Sequence, residues 1–213
     1  MTSDLREEIV RIGRSLFERG YVHAAAGNIS VRHSDGFLIT PTDAPLGFLD
    51  ADRLAECDLD GNQLSGARAS KTLRLHRRIY AEAPDAGCVI HTHATHLVAL
   101  TLLGVWSAED VLPPLTPYYV MKVGHTPLVP YRRPGHPDVA DLVAERLRRN
   151  PHLRAVMLDR LGPLVWAENP SAAMAILEEL EETARIWLAS GRSDSGLPAE
   201  ALKDLAVTFG SHW

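Results

Sequence analysis

The chain has 213 residues, a net charge of −5 at pH 7, 46% hydrophobic and 23% charged residues. These values are ordinary for one sizeable globular domain. The negative charge, without any block rich in Lys or Arg, argues against nucleic-acid binding. No apolar run is long enough to cross a bilayer, and the first residues do not resemble a signal peptide, so we expect no membrane partner. The two cysteines, Cys57 and Cys88, form no CxxC pair, which favours a reducing, cytoplasmic location.

Hydrophobic periodicity predicts alternating helices and strands along the chain. After an amphipathic helix that ends at Gly20, helices are predicted at Ser70–Ala83, Thr95–Leu103, Pro137–Asn150, Ser171–Ser190 and Pro198–Val207. Strands are predicted at Asn28–Val31, Phe37–Thr40, Cys57–Leu59, Cys88–His93, Pro127–Val129, Ala155–Leu158 and Leu164–Ala167. Pro113, Pro114 and Pro117 are expected to keep the segment before Pro127 irregular.

Several of these strands are joined as hairpins, and helices separate the others. The pattern therefore predicts an α/β fold with three layers (α/β/α), in which helices cover both faces of a central mixed, largely antiparallel sheet. We expect one domain over residues 1–190. Residues 191–213 are expected to form a C-terminal tail with a short helix.

A His-x-His motif, His91-Thr92-His93, stands at the end of an apolar run. Side chains two apart on a strand point to the same face, so the two imidazoles can bind one metal ion such as Zn²⁺. Taken alone, such a motif more often represents two ordinary histidines at a strand end than a metal site.

A series of motifs resembles the class II aldolase/adducin family in order and spacing. The motifs are Ala25–Ser30, Thr40–Thr42, Ser70-Lys71, His91–His96, Tyr118–Gly124 and Pro127–Gly135. The last two are most similar to the branch that includes the 3-oxo-tetronate 4-phosphate decarboxylases. The resemblance extends from about Leu5 to Leu188 and implies the class II aldolase-like fold.

This resemblance implies a divalent metal, usually zinc, held by the His-x-His pair and a later histidine, and a phosphorylated substrate. His91 and His93 match the first two ligands. The positions that match phosphate-binding residues of the family are Asn28, Thr42, Ser70 and Lys71. Amide, hydroxyl and ammonium groups all donate hydrogen bonds to phosphate oxygens, so the residue types suit this role. Asn and Thr are also common in turns, so Asn28 and Thr42 could serve a purely structural role instead.

The resemblance further implies a homotetramer with fourfold (C4) symmetry, in which a neighbouring subunit supplies a proton donor to each site. Tyr119 matches that position, with Tyr118 as an alternative and Lys122 as a second candidate donor. Lys71 completes the set of candidate catalytic residues.

Two positions depart from the family pattern. Thr72 stands where the resemblance implies a catalytic glutamate, and Leu161 stands where it implies the third metal histidine. Asp43 also replaces a position that is usually glycine. On chemistry alone, the groups that could complete the metal site are His96, His125, Asp159 or a substrate oxygen.

Aldol cleavage needs a base that takes a proton from a hydroxyl, whereas loss of CO₂ from a β-keto acid does not. The sequence therefore predicts a divergent carbon–carbon lyase, a decarboxylase more than an aldolase, for a small phosphorylated sugar acid or ketose. Two alternatives stay open. One is a repurposed reaction such as isomerisation or cyclisation, and the other is a protein that kept the scaffold for binding alone.

Overall fold

The computed structural model describes residues 2–213, with side chains from Asp4 onward. The helices are α1 (Thr2–Glu18), α2 (Leu73–Glu82), α3 (Thr95–Leu103), α4 (Pro117–Lys122), α5 (Asp138–Arg149), α6 (Pro170–Ala189) and α7 (Ala199–Phe209). The strands are β1 (Asn28–His33), β2 (Gly36–Ile39), β3 (Ala55–Asp58), β4 (Gln63–Ser65), β5 (Cys88–His91), β6 (Leu128–Val129), β7 (Ala155–Leu158) and β8 (Gly162–Ala167). Short 3-10 turns occupy Leu46–Phe48 and Ala51–Arg53.

The strands form one sheet in the order β4-β3-β2-β1-β5-β8-β7-β6. Every pair is antiparallel except β6 and β7, which are parallel. This arrangement confirms the predicted mixed, largely antiparallel sheet. At its centre, β1 and β8 flank β5, so that Asn28 and Leu164 lie opposite His91 on either side.

Helices cover both faces of the sheet, as predicted. Because successive residues of a strand face opposite sides, Ile90 of β5 packs into one core and Val89 into the other. The Ile90 core includes Ile9 of α1 and Leu177 of α6, and α3 and α4 add to it. The Val89 core includes Ile79 of α2, and α5 adds to it.

The expectation of an irregular proline-rich segment was wrong at Pro117. Pro117 occupies the first turn of α4, where the missing amide hydrogen of proline costs nothing. Thr116 caps the helix, because its side-chain oxygen accepts a hydrogen bond from the backbone N–H of Tyr119 at 3.0 Å. The strand that carries the histidine pair is also shorter than predicted, ending at His91.

The C-terminal segment contains α7 and ends on the body of the domain. The Trp213 ring stacks on His125 with centroids 4.6 Å apart, and its centroid lies 5.7 Å from that of Tyr119. Over residues 2–213, none of the helices has both the length and the apolar character that a bilayer crossing needs.

Candidate active site

A cavity of about 380 Å³ opens where β1 and β5 meet the start of α2. The sequence-predicted residues that line it are Asn28, Thr42, Ser70, Lys71, His91 and His93. These residues are spread over 66 positions of the chain, and the fold brings them to one cavity, where they can act on one small molecule.

His91 is held in one orientation by the neighbouring strand. Its Nδ1 lies 2.9 Å from the backbone oxygen of Pro163, and a carbonyl can only accept, so Nδ1 carries the hydrogen. The Nε2 lone pair is thereby left for a ligand, the arrangement in which metal-bound histidines are usually found. Burial, with His93 nearby, lowers the pKa of His91 to about 4, so the ring is neutral at pH 7.

His93 follows the end of β5 and faces the same cavity. Its ring centroid lies 5.1 Å from that of His91 and 6.2 Å from that of the exposed His23. Burial and the neighbouring His23 lower the pKa of His93. His23 precedes Ala24, whose φ of 48° lies in the left-handed region. Sequence analysis did not identify His23, which carries no motif of its own.

The imidazole pair fits two positions of a metal site, and the structure does not complete it. Over residues 2–213, no group of three His, Cys, Asp or Glu side chains is arranged to hold a metal ion. Leu161 lines the cavity with an apolar side chain. His96 and His125 are bonded elsewhere, through Nδ1 to Glu181 at 2.8 Å and to Asp110 at 2.9 Å. A metal held here would therefore depend on water and substrate oxygens for its remaining ligands.

His76 is a further cavity residue that the motif analysis did not select. It lies one helical turn after Thr72 and is fully buried, with Nδ1 2.7 Å from the Ser30 hydroxyl. Ser30 Oγ lies 2.8 Å from the Tyr80 hydroxyl, which completes a buried polar chain. Nε2 of His76 has no hydrogen-bond partner. Burial, and His91 beside it, lower the pKa of His76 to about 3. The usable signal was its position, four residues after the expected glutamate.

Polar side chains gather just before α2 and at the first residue of β1. Thr72 lies 2.9 Å from Ser70, hydroxyl to hydroxyl, so it binds its neighbour instead of offering a carboxylate. Lys71 is exposed, and among residues 4–213 no carboxylate lies within ion-pair distance of it. Asn28 is buried with its Oδ1 unpartnered. Asp43 lines the same cavity with a φ of 57°.

Two arginines and a histidine also line the cavity. Arg74 belongs to α2, while Arg133 and His136 belong to the loop between β6 and α5. Sequence analysis placed Arg133 within a family motif without giving it a role.

Tyr119 and Lys122 do not line this cavity within one chain. Tyr119 is fully buried beneath Trp213, and burial raises the pKa of its hydroxyl. Lys122 is exposed on α4. Their catalytic role stays a prediction that requires a second copy of the chain.

The fold and the cavity define a class of protein that sequence comparison identifies directly. Residues 7–188 match the family model "Class II Aldolase and Adducin N-terminal domain", so the chain belongs to that family. Members of this family generally depend on a divalent metal ion.

Individual relatives narrow the similarity. A 3-oxo-tetronate 4-phosphate decarboxylase from Cupriavidus necator is 54% identical over 99% of this chain and 98% of its own length. The crystal structure of YgbL from Escherichia coli superposes with a TM-score of 0.90 at 39% identity, covering 96% of this chain and 98% of that one. An L-fuculose phosphate aldolase from Methanocaldococcus jannaschii is 32% identical over 86% of this chain and 95% of its length.

Proposed function

We propose that this chain is a cytoplasmic carbon–carbon lyase that decarboxylates a small phosphorylated sugar acid of the 3-oxo-tetronate 4-phosphate type. One observation carries the proposal. A single cavity combines a lysine, hydroxyl and amide donors suited to a phosphate with a pair of neutral imidazoles suited to a divalent metal ion. The names of the relatives supply the substrate class.

Decarboxylation suits this cavity better than aldol cleavage because it needs no carboxylate base. In a β-keto acid the bond between the α-carbon and the carboxylate breaks, its electron pair passes toward the carbonyl, and CO₂ leaves. The enediolate that remains needs one proton. Thr72 cannot serve as the base of an aldolase near neutral pH, and its hydroxyl is bonded to Ser70.

His91 and His93 would hold a divalent ion, Zn²⁺ in this proposal, which would supply Lewis acidity at the substrate carbonyl. The chain's own contribution is orientation. The bond from His91 to Pro163 fixes the tautomer that leaves Nε2 free. At the phosphate end, Ser70 and Lys71 donate hydrogen bonds from the start of α2, and Asn28 and Thr42 donate from the facing segments.

Proton return completes the proposed reaction. Tyr119 or Lys122 would deliver the proton from a neighbouring subunit of a homotetramer, because neither side chain reaches the cavity of its own chain. Lys71, which does line the cavity, would assist by offsetting negative charge on the bound intermediate.

The direct test is turnover of 3-oxo-tetronate 4-phosphate. Removal of CO₂ leaves dihydroxyacetone phosphate, which glycerol-3-phosphate dehydrogenase reduces while NADH is consumed. We expect activity in metal-loaded protein, its loss in His91→Ala, and near-normal activity in His152→Ala, which alters an exposed histidine outside the cavity. L-fuculose 1-phosphate serves as the aldol substrate and should be cleaved poorly.

A binding protein is the second candidate. It is favoured by Thr72 in place of the catalytic glutamate and by Leu161 in place of the third metal histidine that the family resemblance implies. Its signature would be micromolar binding of a sugar-acid phosphate without any release of CO₂. Absence of both binding and turnover would contradict the lyase proposal and this alternative together.

A further inference from the structure

We infer that Arg133 recognises the carboxylate of the substrate and so selects sugar acids over ketose phosphates. This inference rests on the proposed function, since it assigns the second anionic group of a substrate whose phosphate lies near Lys71. Arg133 would be a specificity-determining residue.

Arg133 reaches the cavity from a different element than Lys71 does. It lies in the loop between β6 and α5, where a turn is closed by the backbone bond from His136 N to Arg133 O at 3.0 Å. Lys71 lies at the start of α2. Both side chains line the one cavity, so a ligand in it meets cationic groups from two separate segments.

The neighbours of Arg133 in this loop are already paired. The Arg132 Nε lies 3.9 Å from Asp138 Oδ2, and an Arg132 Nη donates to the Tyr131 backbone oxygen at 2.8 Å. His136 Nδ1 accepts from the Asp138 backbone N–H at 3.2 Å and lies 3.6 Å from its carboxylate.

Arg133 itself has no such partner. Over residues 4–213, no carboxylate lies within 4.0 Å of its guanidinium and no side-chain hydrogen bond forms. By contrast, Arg74, the other arginine of the cavity, lies 3.9 Å from Asp141. A guanidinium offers two parallel N–H donors that match a carboxylate, so an unpaired one at a cavity wall is suited to bind that group from a ligand.

Lys71 and Arg133 together imply a ligand with two anionic groups. A 3-oxo-tetronate 4-phosphate carries a phosphate at one end and a carboxylate at the other, whereas a ketose monophosphate carries the phosphate alone. The ion pair with Arg133 would exist in the bound substrate and disappear as neutral CO₂ departs. Arg133 should therefore act mainly on KM, with little or no loss of kcat on substitution.

The test uses two stable ligands that differ only at the carboxylate. 4-Phosphoerythronate has the carboxylate, and erythritol 4-phosphate has a hydroxymethyl group in its place. Isothermal titration calorimetry on wild type should give at least about tenfold tighter binding of the acid, the usual size for a charge-assisted pair. Arg133→Gln should abolish that preference and leave the affinity for erythritol 4-phosphate unchanged.

Two variants separate the possible causes. Arg132→Gln removes a neighbouring charge outside the cavity and should keep the preference for the acid. Lys71→Gln should weaken both ligands together, because it acts on the phosphate they share. A wild type that binds both ligands equally, or an Arg133→Gln that retains the preference, would overturn the role of Arg133. Failure of wild type to bind either ligand would overturn the proposed function itself.

Discussion

Burial determines the chemical state of the cavity histidines. His76 and His91 are removed from water, and the cost of desolvating a charge lowers their pKa values to about 3 and about 4. Both rings are therefore neutral at pH 7, and each is oriented through Nδ1. For His91 this state is what a metal ligand requires. For His76 this state leaves an unpartnered Nε2 beside the cavity. That atom belongs to a residue one helical turn after Thr72, the position at which the family resemblance implies a glutamate.

The same shift predicts a loss of stability in acid. The unfolded state takes up a proton on His76 near pH 6.5, whereas the folded state does so only near pH 3. Stability is therefore fully present above about pH 6.5 and decreases as the pH falls toward 3. Between pH 7 and pH 5 this residue should account for about 2 kcal/mol of lost unfolding free energy.

The variant His76→Asn tests this because an amide does not titrate. Urea denaturation at pH 7 and pH 5 should show a smaller decrease for the variant than for wild type, by about 2 kcal/mol. His152→Asn, at an exposed position, should keep the full decrease. An equal decrease in wild type and His76→Asn would show that protonation of His76 does not contribute to the loss.

At the scale of elements, the pairing of β5 with β8 positions the histidine motif. Gly162 begins β8 with a φ of 119°, and a Cβ placed there would lie 2.1 Å from the backbone oxygen of Thr92. Pro163 follows and accepts the hydrogen bond from His91. The close contact of these two backbones therefore fixes the segment between the two imidazoles.

Gly162→Ala should destabilise the protein by about 3 kcal/mol or more, since it combines a backbone clash with an unfavourable φ. Gly191→Ala is the matched control, because Gly191 also has a positive φ, of 72°, but a Cβ added there would have no atom within 4 Å. That control should cost only about 1 kcal/mol. Chemical denaturation measures both, and equal losses would refute the role of close contact at Gly162.

At the scale of the whole molecule, the candidate proton donors lie outside the cavity of their own chain. Tyr119 is buried with its hydroxyl unpartnered, and Lys122 is exposed on the same short helix. Large apolar side chains are also exposed nearby in sequence, namely Leu102 (57%), Leu103 (61%), Trp106 (45%) and Tyr118 (63%). Such a concentration is typical of a surface that contacts another chain.

We therefore expect a tetramer in sedimentation velocity experiments, disrupted by Leu102→Glu. Leu59→Glu is the control, since Leu59 is 56% exposed but follows β3 and is distant in sequence from these apolar residues. A monomeric wild type would remove Tyr119 and Lys122 from the proposed mechanism.

The hydrophobic pattern of the sequence was sufficient to predict most helices and strands, and it failed for a few of them. The bounds of α3 and β7 were predicted correctly, because each has a clear apolar pattern and a clear end. The helix α4 was missed because Pro117 was taken as a breaker, although proline is well tolerated in a first helical turn. The family motifs selected several residues that line the cavity, including His91 and Lys71, and the roles of these residues stay predictions.

By itself, then, the sequence determined the layered fold, the family and six candidate residues that line one cavity, since these depend on short-range periodicity and on motifs of a few residues. Only the tertiary structure decided which groups are free to act. Arg133 and Arg132 are adjacent and identical in type, and the carboxylate of Asp138 pairs with one and leaves the other at the cavity wall. Asp138 follows both arginines in the same stretch of chain, so the choice between them is made by the folded path of that loop. The burial of His76 and His91 depends on contacts between distant segments, which local sequence does not encode.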